Sequence, residues 1–285
     1  MSHLFASSHL PQHLPGQTWS SRPAVEFVEF PGASSSSASS SHDPVSHTQQ
    51  PIMTGTSVLG IKYDGGVMLA ADNLASYGSM ARFDDIQRLH PVGNFTCIGA
   101  GGDLSDYQQL QHMLDNLTVK QSQLNDGHEL RTSQVFEYLT RVMYNRRSKM
   151  DPLWNSLLVA GWEGPNGQQT SEESKGSGAP FLAYVDLQGT TYSAPSIATG
   201  YGSMIALPLM RKAQEDAPNG QLSESEAEEL LKTCMKVLFY RDARSINKFQ
   251  IAKIDKTGVR ISDSMSVETS WMDFAGLRGY GPQTK

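Results

Sequence analysis

Two helix pairs set between β-hairpins leave this chain few folds to choose from. From Thr56 the sequence turns abruptly apolar: Ser57 to Tyr63, the turn Asp64-Gly65-Gly66, and Val67 to Ala71 make a strand-turn-strand signature. Strand-like runs follow at Ile86 to His90 and Phe95 to Ile98, the second ending in the small-residue patch Gly99-Ala100-Gly101-Gly102. Asp103 can cap a helix whose apolar positions Leu104, Tyr107, Leu110, Leu114 and Leu117 share one face. Thr132 or Ser133 can cap a second, with Val135, Leu139, Val142 and Met143 on its inner side. Pro152 closes that pair. Ser156 to Trp162 and Phe181 to Val185 then read as paired strands, joined by a polar, Gly-rich loop from Glu163 to Ala179 that is expected to be mobile. A short strand near Thr190 to Ala194 precedes a second helix pair, Ser203 to Gln214 and the run after the capping box Ser223-Glu224-Ser225-Glu226. Phe249 to Asp255 and Val259 to Ile261 make the last hairpin. Strands and helices segregated in this way suit an α+β fold with helices on the outer faces of antiparallel sheets, not alternating βαβ units. The expected architecture is a four-layer αββα sandwich in one domain, residues 56–262.

The flanks differ in composition. Residues 1–47 carry a serine run from Ser34 to Ser41, broken once by Ala38, and five prolines, too few apolar residues for a core, so a disordered leader is expected. His3, His9, His13, His42 and His47 lie there at spacings that match no zinc site, and neither metal nor other cofactor is expected. No apolar run reaches the roughly eighteen residues that a membrane-crossing helix needs. The start also lacks the cationic and apolar regions of an export signal. Cys97 and Cys234 sit inside apolar patterns and read as buried thiols of a reducing compartment, so cytoplasm and nucleus are the expected location. A net charge of −6 without a basic face argues against nucleic acid or membrane as partner and leaves other proteins. Beyond the last strand, residues 263–285 place Trp271, Phe274, Leu277 and Tyr280 every third residue, an apolar stripe suited to an interaction tail.

Gly55-Thr56-Ser57-Val58-Leu59-Gly60, followed by Gly65-Gly66-Val67-Met68-Leu69-Ala70-Ala71-Asp72, resembles the start of a proteasome β-type subunit, in which Gly-Thr marks the propeptide junction. The likeness runs on through Gly99 to Asp103, Tyr184-Val185-Asp186, Thr199-Gly200-Tyr201-Gly202 and Tyr240 to Ser245. Arg146 to Asn155 is similar to the non-catalytic members of that family. The resemblance implies the Ntn-hydrolase sandwich and a hetero-oligomeric four-ring particle shared with other α and β subunits and served by assembly chaperones. It also implies cleavage of the leader between His47 and Thr48, residues 48–55 kept over the site, and a tail that aids joining of half-particles.

An N-terminal threonine protease needs a hydroxyl nucleophile, a free α-amine as base, a nearby ammonium and N–H donors for the oxyanion. By resemblance Thr56 stands at the nucleophile, Asp72 at the carboxylate that orients the lysine, Gly102 at the oxyanion glycine, and Asp242 with Ser245 at the pair supporting the amine. The lysine position holds Arg88, and a guanidinium exchanges no proton at working pH. A serine position holds Tyr201, whose ring is expected to fill the space beside the nucleophile. Thr56 also keeps a peptide nitrogen while Gly55 stays attached, and an amide has no usable lone pair. The expectation is a non-catalytic subunit; an active threonine endopeptidase, an α-type gate subunit and a free-standing amidohydrolase of related fold are the rivals.

Overall fold

In the computed structural model, which describes residues 51–125, 127, 129–164 and 178–270, β1 (Met53–Gly55) leads into the hairpin β2 (Val58–Tyr63) and β3 (Gly66–Asp72). β4 (Ala75–Tyr77), β5 (Met80–Phe83), β6 (Leu89–Val92) and β7 (Thr96–Asp103) follow, then α1 (Leu104–Leu124) and α2 (Thr132–Ser148). β8 (Asn155–Glu163), β9 (Ala179–Val185), β10 (Thr191–Ser193) and β11 (Ser196–Ala198) lead to α3 (Gly202–Asp216), α4 (Glu224–Arg241) and the hairpin β12 (Phe249–Asp255) and β13 (Gly258–Ile261). One sheet of eight strands runs β10-β9-β8-β7-β1-β4-β5 with β6 also on β7; the other, of five, runs β11-β2-β3-β12-β13. Every pairing is antiparallel.

Strand alternation sorts the apolar side chains into three layers of core. Val58, Leu69, Cys97, Leu158, Leu182 and Ile254 meet between the two sheets. On the far face of the larger sheet, Ile98, Leu157 and Val159 pack under Tyr107, Leu110 and Leu139 of α1 and α2. On the far face of the smaller, Leu59, Met68 and Ile251 pack under Met210, Leu231 and Cys234 of α3 and α4. The result is the αββα sandwich. Among the described residues no helix is long and apolar enough to cross a membrane, and no cluster of ligating side chains could hold a metal ion.

Several local expectations need correction. The glycine patch does not end β7; the strand runs through it to Asp103. A side chain at Gly99 would meet Val58 Cγ1 at 2.7 Å and one at Gly101 the Thr56 carbonyl at 2.9 Å, so glycine lets the Val58 side chain pack against β7 and backbone approach backbone at 101. The run expected at Ile86 pairs only from Leu89, opposite Gly99. Neither Thr132 nor Ser133 caps α2: Arg131 is its N-cap residue. Thr132 Oγ1 instead meets Thr96 Oγ1 at 2.8 Å, and Glu163 reaches from β8 to accept the Ser133 N–H at 2.7 Å. The segment past Ile261 returns to the domain, with Met265 bridging Phe249 through both backbone bonds, Asn247 holding Val267, and Tyr240 accepting from Ser270 at 2.8 Å. The leader 1–47, the cleavage pair His47 and Thr48, most of the loop after Glu163, and the tail residues Trp271, Phe274, Leu277 and Tyr280 lie outside the described residues.

Candidate functional site

Thr56 lies between β1 and β2, where the chain passes from the larger sheet into the smaller. β1 is three residues long, yet it is held on both sides: Thr54 and Gly55 lie opposite Asp103 and Gly102 of β7, while Met53 and Thr54 lie opposite Tyr77 and Ser76 of β4. The Ile52 N–H also donates to Asp103 Oδ2 at 2.9 Å. Residues 53–55 therefore do not hang over the site as a loose cover. They fill the slot between β4 and β7 as a strand of the sheet, and the Gly55–Thr56 peptide leaves that strand directly.

The Thr56 hydroxyl donates to Asp242 Oδ2 at 2.5 Å. Asp242 is the C-cap residue of α4, buried, and its other oxygen accepts the Arg244 N–H at 2.9 Å. Ser245 reaches Asp242 only through its backbone N–H, at 3.3 Å, and its buried Oγ has no partner. Of the pair expected to support the amine, Asp242 therefore reaches Thr56 at its hydroxyl, while the Ser245 side chain bonds neither.

Arg88, just before β6, is 2% exposed. Its guanidinium has five N–H donors, and five acceptors surround it. Nε donates to Asp72 O at 2.9 Å; Nη1 to Thr56 O at 2.6 Å and Ala100 O at 3.3 Å; Nη2 to Ser57 O at 2.7 Å and Asp72 Oδ1 at 2.6 Å. The second Asp72 oxygen accepts the Ile246 N–H at 3.3 Å. Burial pushes the Asp72 carboxyl up to about 6, against the opposing pull of the Arg88 charge and the Ile246 N–H. The site therefore holds a fixed cation saturated with carbonyls and a carboxylate bound to it. Neither is free to take a proton from Thr56, and the Thr56 nitrogen is an amide.

Gly102 is brought to the same place by β7, at φ +96°. A side chain there would meet the Trp154 carbonyl at 2.0 Å, so glycine is needed on both counts. Tyr201 also lines this depression of about 590 Å³, beside Gly55, Thr56 and Gly102. The residue is 59% exposed, however, so it rims the depression instead of filling it as expected. It is the N-cap of α3, in helical conformation.

Three supporting residues escaped the sequence reading. Ser57 Oγ accepts the Gly202 N–H at 2.9 Å, which ties the start of α3 to the site. Thr199 Oγ1 accepts the Val58 N–H at 2.9 Å. Asn155, 1% exposed, donates through Nδ2 to the Gly101 and Asp103 carbonyls at 3.2 and 2.7 Å, fixing the bend at Gly102. Each lies in a motif the sequence shows, but its role is defined by a partner far along the chain.

Comparison with known proteins adds to this geometry. The proteasome subunit family profile matches residues 52–254. The chain is 49% identical over 241 residues to a probable proteasome subunit beta type-7 of Schizosaccharomyces pombe, covering 85% of this chain and 88% of that one. It is 46% identical over 242 residues to the proteasome subunit beta type-4 of Xenopus laevis (85% and 90%). It is also 46% identical over 255 residues to the proteasome subunit beta type-7 of Saccharomyces cerevisiae (86% and 91%).

Proposed function

The chain belongs to the proteasome subunit family, in its β-type branch, and from that premise we propose that it is a non-catalytic member that builds part of a β ring without cutting peptide bonds itself. The observation that carries this reading is the state of Arg88. At the position where active relatives are expected to have an ionisable lysine, all five guanidinium donors are spent on carbonyls and on Asp72. The α-amine that serves an N-terminal threonine protease as base is an amide here while Gly55 stays attached. The Thr56 hydroxyl donates to Asp242, and neither its own nitrogen nor the Arg88 cation supplies the amine-and-ammonium pair that activates such a nucleophile.

In this reading the subunit sits at the seventh β position, helps to wall the chamber in which ubiquitin-marked proteins are degraded, and works in cytoplasm and nucleus with the other α and β subunits and their assembly chaperones. The leader is trimmed between His47 and Thr48, and the tail with Trp271, Phe274, Leu277 and Tyr280 helps two half-particles to join.

The test is Thr56→Ala in the assembled particle. Turnover of every peptide class is expected to stay within experimental error of the parent, and a probe that acylates N-terminal threonines should leave this subunit unlabelled. A selective loss of one cleavage specificity in the variant would show that Thr56 is a working nucleophile. Deleting 271–285 is expected to lower the yield of full particle relative to half-particle, read by native mass measurement.

A further inference from the structure

We propose that Arg88 is a latch that fastens the uncut segment Ile52–Ser57 into the fold and holds the half-buried Gly55–Thr56 bond in a fixed conformation that other proteases cannot engage. This rests on the reading that the Gly55–Thr56 bond stays uncut, and adds what holds that bond in place. β1 has only two paired positions on each side, too few to hold a terminal strand by ladder bonds alone. It is fastened at both ends instead. At the start, Asp103 takes the Ile52 N–H. At the end, two arms of one guanidinium bond the consecutive carbonyls of Thr56 and Ser57 at 2.6 and 2.7 Å.

Gly55 completes the latch. A methyl group there would come 2.6 Å from Arg88 Cδ and 2.7 Å from Nη1. The backbone of residue 55 therefore lies flat on the arginine side chain, and only glycine permits the contact. The guanidinium is anchored in turn from the opposite side by Asp72 and Ala100, on β3 and β7. An ammonium has three donors, so lysine at this position would leave at least two of the five acceptors unmet, with Thr56 O and Ser57 O the ones on the movable segment.

The test is amide hydrogen exchange, resolved to peptides, on the full-length chain. Arg88→Lys is expected to raise exchange at residues 53–57 at least tenfold while the β12–β13 hairpin keeps its parent rate, because local opening is distinct from global unfolding. Gly55→Ala, which leaves the Arg88–Asp72 pair in place, is expected to do the same, and in both variants a broad-specificity protease should cut between 52 and 57 faster than in the parent. Unchanged exchange at 53–57 in either variant would overturn the proposal, as would an equal rise throughout β3 and β12. If Arg88→Lys does not fold, Gly55→Ala decides alone by the same readings.

Discussion

A guanidinium leaves water at a cost of several kcal/mol unless its charge is paired and its donors are met. Arg88 satisfies both conditions, so removing one partner should hurt more than removing both. Asp72→Ala leaves the cation uncompensated inside the protein and is expected to cost about 3–5 kcal/mol, read from the urea unfolding midpoint. The same carboxyl gives the protein a pH dependence. Burial holds it near 6, above its ordinary 3.8, so the folded state binds this proton more tightly than the unfolded chain. Its contribution to stability is full below the unfolded value and is lost as pH rises through about 6. Stability at pH 5 should therefore gain from this group relative to pH 7.5, and Asp72→Asn should flatten that part of the profile; an unaltered slope would assign it elsewhere. Much of this was readable in the sequence only as residue types. Arg88 shows as a substitution of lysine, but its acceptors come from Thr56, Ser57, Asp72 and Ala100, and no spacing rule brings those four together. Tyr201 was misjudged because side-chain size is legible in a sequence and side-chain direction is not.

Elements announce themselves where a local rule decides them. Asp103 was legible as the cap of α1, and it accepts from the Ser105 and Asp106 backbone. Burial alone would push its carboxyl up, but the bonds from Ser105, Ile52 and Asp106 outweigh it and hold it below the ordinary value, so this group's contribution is lost as pH falls. Asp103→Ala is expected to cost about 1–2 kcal/mol, as caps do, and to free Ile52 as well, visible as faster exchange at the start of β1. β1, β4, β5 and β11 were not legible. Each is three or four residues long, too short for periodicity to establish, and β1 and β11 form against the longer β7 and β2 while β4 and β5 form against each other. The start of α2 was misplaced for a similar reason: Thr132 serves Thr96, and Gly161 leaves room for it, since a side chain at 161 would meet Thr132 Oγ1 at 1.9 Å. Gly161→Ala should accordingly destabilise by about 1–3 kcal/mol, the usual cost of overpacking, measured by thermal unfolding.

The described residues form three apolar layers that share two sheets, so neither sheet can leave without exposing two cores. Leu158, sealed between the sheets, and Leu139, sealed under the larger sheet's helices, are both fully buried. Truncating either to alanine should cost about 2–5 kcal/mol and shift one cooperative transition, with no separate early step for the helices. The order of hairpins and helix pairs made this layering legible, because only outer faces remain for helices once the hairpins stack. The two cysteines lie in different layers: Cys97 faces the inter-sheet core, Cys234 the contact of α4 with the smaller sheet. Burial pushes both thiols up to about 12, where almost none is thiolate, so alkylating reagents and mild oxidants should find the native chain inert. Each sulfur then becomes a clock for its own layer. The interval before Cys97 alkylates records how long the sheets stay together, and that before Cys234 how long the outer helices stay seated.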